Sequence, residues 1–115
     1  MSYDLSISVK VEGIDRYIDI AYPEHDSPTY NLGTMFRACM DWDYDQHEYY
    51  KCSDIIGNIE RGIKELTINR EEYEKYNPPN GWGDIDGALK TLISLHKCIH
   101  EEAKRIPIEH LYFSW

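Results

Sequence analysis

Between Tyr3 and Val11 the chain alternates almost without fault. Tyr3, Leu5, Ile7, Val9 and Val11 carry apolar side chains, and Asp4, Ser6, Ser8 and Lys10 carry polar ones. A period of two is the signature of a strand with one buried face. Glu12-Gly13-Ile14-Asp15 supplies turn residues, and the alternation resumes from Arg16 to Tyr22, with Ile18, Ile20 and Tyr22 set against Tyr17, Asp19 and Ala21. The spacing predicts a β-hairpin ending at Pro23. Glu24 to Tyr30, with Pro28 inside it, reads as polar loop.

The period then lengthens. Asn31 is the expected N-cap of a first helix carrying Leu32, Met35, Phe36 and Cys39 and ending near Met40 or Trp42. Asp41 to Tyr50 mixes carboxylates with aromatics, too polar for a core and too aromatic for a plain linker. Ser53 is the expected cap of a second helix with the stripe Ile55, Ile56, Ile59, Ile63 and Leu66. Gly57 and Gly62 inside it each cost roughly 1 kcal/mol relative to alanine, which points to close packing at both turns. Asn69 with Glu72 forms a capping-box pattern for a short helix to Tyr76.

Asn77-Pro78-Pro79-Asn80-Gly81-Trp82-Gly83 forbids regular structure around one tryptophan, which is expected to pack at least partly into the core beside Leu89. Asp84 caps the longest periodic stretch, Ile85, Ala88, Leu89, Leu92, Ile93, His96, Ile99 and Ala103, expected to end near Arg105. Ile108 to Trp115 alternates again, and its aromatic residues are expected to pair with the first hairpin. The fold class is α+β in a single domain, residues 1–115. It comprises a small sheet of about three strands, the N-terminal hairpin plus the C-terminal strand, covered on one face by three to four helices.

Charge changes this picture most. Between Glu12 and Glu48 nine acids face two bases, a local net charge of −7, while the remainder of a chain of net charge −9 carries only −2. Such a surface repels nucleic-acid phosphate, so direct DNA or RNA binding is disfavoured. Met1-Ser2-Tyr3-Asp4 has no basic leader character, and no apolar run approaches the ~20 residues that span a bilayer. The expectation is a cytoplasmic protein with no membrane association. Three cysteines without a C-x-x-C pair fit a reducing compartment. Ten tyrosines against two phenylalanines leave much aromatic surface carrying a hydroxyl that needs a partner or water.

Candidate chemistry is sparse. Asp41, Asp43 and Asp45 begin a calcium-loop pattern, but Gln46 stands where the glycine is required and Cys52 where the bidentate glutamate belongs. His96 and His100 have zinc-like spacing, yet Cys98 points about 200° away from His96 at ~100° per residue. Cys39, Cys52 and His47 match no ligand spacing. Nucleophile-elbow, P-loop, dinucleotide and H-E-x-x-H signatures are missing. The chain is therefore expected to be non-catalytic, without metal or cofactor.

The start Met1-Ser2-Tyr3-Asp4-Leu5, the Asn31-x-x-x-Met35-Phe36 opening, the Asn77-Pro78-x-Asn80-Gly81-Trp82-Gly83 turn before Gly87-Ala88-Leu89, and Trp115 together resemble a family of small, uncharacterised proteins encoded by phages and prophages. The resemblance implies an accessory protein acting in a bacterial host cell by binding, for example as a counter-defence inhibitor. In that reading the acidic, tyrosine-rich stretch holds the contact residues Asp41, Asp43, Tyr44, Asp45, Glu48, Tyr49 and Tyr50, directed at a basic host protein such as a nuclease. A toxin-neutralising immunity protein would look much the same. The alternative is a small-molecule or nucleotide-signal sponge with a pocket near Asn31 and Trp82, where helix N–H groups bind phosphate. Such sponges usually assemble as homo-oligomers.

Overall fold

A computed structural model describes residues 3–43, 49–81 and 83–115. Its strands β1 (Ser6–Val11), β2 (Arg16–Ala21), β3 (Tyr50–Lys51) and β4 (Leu111–Ser114) form one antiparallel sheet in the order β2-β1-β4-β3. The two ends of the chain meet in the middle of the sheet, with Ser6 opposite Ser114 and Val9 opposite Leu111. The pairing of the C-terminal strand with the hairpin thus follows the alternation. The fourth strand does not, because two residues pairing Tyr50 with Phe113 and Lys51 with Tyr112 are too few to show a period. Before β1 the extended chain is held by Tyr3 and Leu5, whose N–H groups donate to the carbonyls of Pro28 and Asp26, each at 2.8 Å.

Helices α1 (Gly33–Met40), α2 (Cys52–Ile68), α3 (Arg70–Tyr73) and α4 (Ile85–Glu102) complete the fold. The stripes of α1, α2 and α4 share one core with Tyr3, Leu5, Ile7, Leu111 and Phe113 of the sheet segments. Burying each large aliphatic or aromatic side chain contributes about 1.5–3 kcal/mol, and Ile7, Phe36, Ile59, Leu92, Leu95 and Phe113 are all buried. Trp115 closes the core by stacking on Tyr3 at 4.7 Å between ring centroids, with Trp42 6.1 Å away.

Gly62 explains how closely α2 is seated. A Cβ there would stand 2.8 Å from Leu92 Cδ1 and 2.9 Å from Met40 Cγ, so only hydrogen fits where α2 crosses α1 and α4. Gly57, expected to do the same, is exposed and would meet nothing within 4 Å. It lies on the solvent side of the helix, where its flexibility is a cost without return.

Of the local capping signals read from the sequence, one holds and three fail. Asp84 Oδ1 accepts the Gly87 N–H at 2.7 Å, as expected. The cap before α1 is Thr29 rather than Asn31, because a 3-10 turn at Tyr30–Leu32 precedes the helix. Helix α2 starts one residue ahead of Ser53, with no side-chain cap. Asn69 turns its amide back to the Glu65 carboxylate, so no capping box forms. Helix α4 ends at Glu102, ahead of Arg105.

At the end of α1, Asp41 adopts the left-handed conformation (φ 50°), its N–H donating to Ala38 O and that of Trp42 to Arg37 O. This is a Schellman-type stop with aspartate where glycine is usual. The last carbonyls of α1 are also met from α2: Asn58 Nδ2 donates to Met40 O at 3.0 Å, and Arg61 Nη1 donates to Ala38 O and Cys39 O.

The hairpin runs on past the helices. Burial declines along β1 from Ile7, fully buried, to Val9 and Val11, half-buried, and none of the six β2 residues is buried. A bulge between Ile7 and Ser8 pairs Ile7 with Ala21 and Ser8 with Asp19, so Ala21 joins the helix-facing side instead of the side of Tyr17 and Asp19. The extra residue, Ile20, is what breaks the expected alternation. No helix among the described residues is long and apolar enough to cross a membrane.

Candidate functional site

Directly paired residues in a sheet project to the same face. The registers therefore gather Ser6, Ser8 and Lys10 of β1, Tyr17 and Asp19 of β2, Tyr112 and Ser114 of β4 and Lys51 of β3 on the face opposite the helices. Ser8 sits at the centre, paired with Asp19 on one side and Tyr112 on the other. Its hydroxyl donates to Asp19 Oδ1 at 2.6 Å, Ser6 Oγ donates to the same oxygen at 3.2 Å, and the Ser6 and Ser114 hydroxyls are 2.9 Å apart.

Ser8 is 0% exposed and Ser6 5%, although no helix covers them. Tyrosines do. Tyr17, on β2, and Tyr49, next to β3, start from opposite sides of the sheet and stack above it, with centroids 3.9 Å apart and planes within 5°. Tyr112 meets Tyr17 edge-on at 5.1 Å. Lys10 Nζ lies 5.9 Å from the Tyr17 centroid and 3.4 Å from Asp15 Oδ1. The Tyr22 hydroxyl approaches Asp19 Oδ2 at 3.4 Å, and its pKa is raised chiefly by the charge of that carboxylate.

The arrangement is a thin polar layer sealed by a tyrosine lid. It offers aromatic area and hydroxyl donors to whatever approaches. The Ser8 hydroxyl is committed to the Asp19 carboxylate, and among the described residues no imidazole hydrogen-bonds to it.

The contact residues expected from sequence are divided by this geometry. Tyr49 lies on the tyrosine face, 38% exposed. Tyr50, its neighbour, turns to the helix side, edge-on to Trp42 at 4.8 Å and beside Phe113. A strand sends consecutive side chains to opposite faces, so the two cannot serve one surface. Asp41 and Asp43 are exposed after α1. Tyr44, Asp45 and Glu48, together with Trp82 and its expected packing beside Leu89, lie outside the described residues. The sequence reading left out Ser6, Ser8, Asp19 and Tyr112. Each sits at a polar phase of an alternating segment, and what joins them is cross-strand register.

Around Asn31 the main chain is already engaged. The Asn31 N–H and amide both donate to Thr29 Oγ1, the Leu32 N–H to Thr29 O and the Gly33 N–H to Tyr30 O. Gly83 presses onto this entrance at φ +112°, where a Cβ would stand 2.9 Å from Thr29 Cγ2. The turn that carries Trp82 therefore does adjoin the start of α1, but these three N–H groups have partners.

Burial pushes the Cys39 and Cys52 thiols up to about 12 and the half-buried Cys98 thiol to about 11. The cause is chiefly desolvation, which disfavours the thiolate at all three sites. His96 Nε2 is 3.5 Å from Glu60 Oε1. Among the described residues no three His, Cys, Asp or Glu side chains are grouped to hold a metal ion. Comparison with protein-family models, curated proteins and solved structures finds no match.

Proposed function

We propose that this chain is a non-catalytic binding protein whose contact surface is the helix-free face of the sheet. The observation that supports it is the Tyr17, Tyr49 and Tyr112 layer, which spends three aromatic side chains outside the core. Rigid, amphipathic tyrosines supply contact area at small entropic cost. Exposed Glu12, Asp15, Asp19, Asp41 and Asp43 belong to the acidic half of the chain, so the partner is a basic protein drawn in by complementary charge. With the family likeness, the reading becomes a phage or prophage accessory protein in counter-defence, with a host nuclease as the type of target. The nucleotide-sponge alternative has less support, since its anion-binding N–H groups are taken.

The test is binding kinetics against a basic protein recovered from the host with this chain as bait. Asp41→Asn with Asp43→Asn should slow association and flatten its salt dependence, whereas Tyr49→Ala should mainly speed dissociation. Unchanged kinetics in both variants would remove the tyrosine face and the acidic residues after α1 from the interface. A thermal shift with nucleotides and none with basic partners would favour the sponge.

A further inference from the structure

We propose that Asp19 and Tyr22 form a docking point for an arginine side chain, a step that rests on the basic partner proposed above and names the group by which it binds. The bulge assembles this point. Because Ile20 is the extra residue and Ala21 faces the helices opposite Ile7, Tyr22 projects from the other face, on the side of Asp19. Its hydroxyl meets Asp19 Oδ2 at 3.4 Å. Strict alternation would instead send residues 19 and 22 to opposite faces of the sheet.

The carboxylate is held from beneath and open above. Buried Ser8 and Ser6 both donate to Oδ1, at 2.6 and 3.2 Å, which occupies the lone pairs of that oxygen and fixes the group in place. Oδ2 receives only the long contact from Tyr22 and keeps room for a further donor. Asp19 is exposed, and among the described residues no lysine, arginine or histidine forms an ion pair with it. Lys10, on the same face, is engaged by Asp15.

Tyr22 supplies the other half. It is 62% exposed, and among the described residues no other ring or cation packs on it. The pKa of its hydroxyl is raised chiefly by the charge of Asp19, with a further contribution from Asp26, so two carboxylates act on one point. That field attracts a cation. A guanidinium suits the remaining geometry, because it is planar, stacks on a tyrosine face, and can donate one N–H to Asp19 Oδ2 and a second to the Tyr22 oxygen. An ammonium is a compact, strongly hydrated charge and makes less use of the ring.

The test titrates N-acetyl-arginine amide and N-acetyl-lysine amide into the full chain at constant ionic strength, followed by amide-resolved NMR. Arginine should shift the Ser8, Asp19 and Tyr22 signals and bind about threefold tighter than lysine. Asp19→Asn, which keeps an acceptor for Ser8, should weaken arginine binding about fivefold, and Tyr22→Ala, at an exposed position, about threefold. Glu71→Gln on α3, with the same change in net charge, should leave it unchanged. Equal binding of the two probes, shifts centred elsewhere, or indifference to Asp19→Asn would each overturn the docking point. The two readings fail separately. A basic partner recovered from the host that binds the Asp19→Asn chain as tightly as the native one sinks the docking point and leaves the basic-partner reading in place, whereas arginine docking here with no basic protein recovered does the reverse.

Discussion

Replacing Gly57 and Gly62 by alanine, one at a time, tests the packing of α2 more sharply than any single core truncation. Both lie inside the same helix, so each gains about 1 kcal/mol of helix propensity from the change. At Gly57 nothing lies within 4 Å of the new methyl group, and that gain should appear whole. At Gly62 the methyl group would sit 2.8 Å from Leu92 Cδ1 and 2.9 Å from Met40 Cγ, both in side chains that are 0% exposed and cannot swing into solvent. Overpacking of this kind costs typically ~1–3 kcal/mol. The variants should therefore differ by that amount, with Gly57→Ala raising the melting temperature by about 4 °C and Gly62→Ala leaving it unchanged or lowering it by up to about 8 °C. Urea unfolding followed by tryptophan fluorescence, with thermal unfolding by circular dichroism, measures both. Leu92→Ala in the Gly62→Ala background should be less damaging than the two single changes predict, because the neighbours share one space. Equal stabilisation by both glycine replacements would mean that α2 does not approach α1 and α4 as described.

Asp19→Ala should destabilise the fold by about 1–3 kcal/mol, since it strips the buried Ser8 hydroxyl of its acceptor, and Ser8→Ala in that background should recover much of the loss in the same urea titration. Asp41→Gly should stabilise by roughly 0.5–1 kcal/mol, because glycine takes the left-handed stop at φ 50° without strain. The buried thiols give a pH dependence of known sign. Their folded pKa values lie above the ordinary value of 9.0, so the stability they contribute is complete below about pH 9 and is lost as pH rises toward about 12. The urea midpoint should fall across that window, and less steeply in a Cys39→Ala, Cys52→Ala variant. At neutral pH, alkylation of the folded protein should spare both residues and begin at half-buried Cys98.

Much of the architecture is written in one-dimensional periodicity. Residues 3–11 and 16–21 alternate because one side of each segment must leave water. Ile85 to Glu102 repeats at helical spacing for the same reason, and Asp84, just ahead of it, accepts the Gly87 N–H as an N-cap aspartate does. Charge, too, needs no coordinates, since the acidic half is a property of the chain. Register, close approach and partner choice are different in kind, because each depends on what arrives from elsewhere. The bulge at Ile7 and Ser8 moves Ala21 to the helix side, and no alternation count can see it. Helical spacing puts Gly62 on the face of Ile55, Ile59 and Leu66 and Gly57 on the opposite one, but only the closeness of Leu92 and Met40 shows that the first has no room for a side chain. Tyr49 and Tyr50 read as one aromatic patch until the pleat of β3 sends them to opposite faces. The tyrosine layer exists only because strand order brings β2 and β3 within reach of each other across β1 and β4, so that Tyr17 and Tyr49, thirty-two positions apart, close over Ser8.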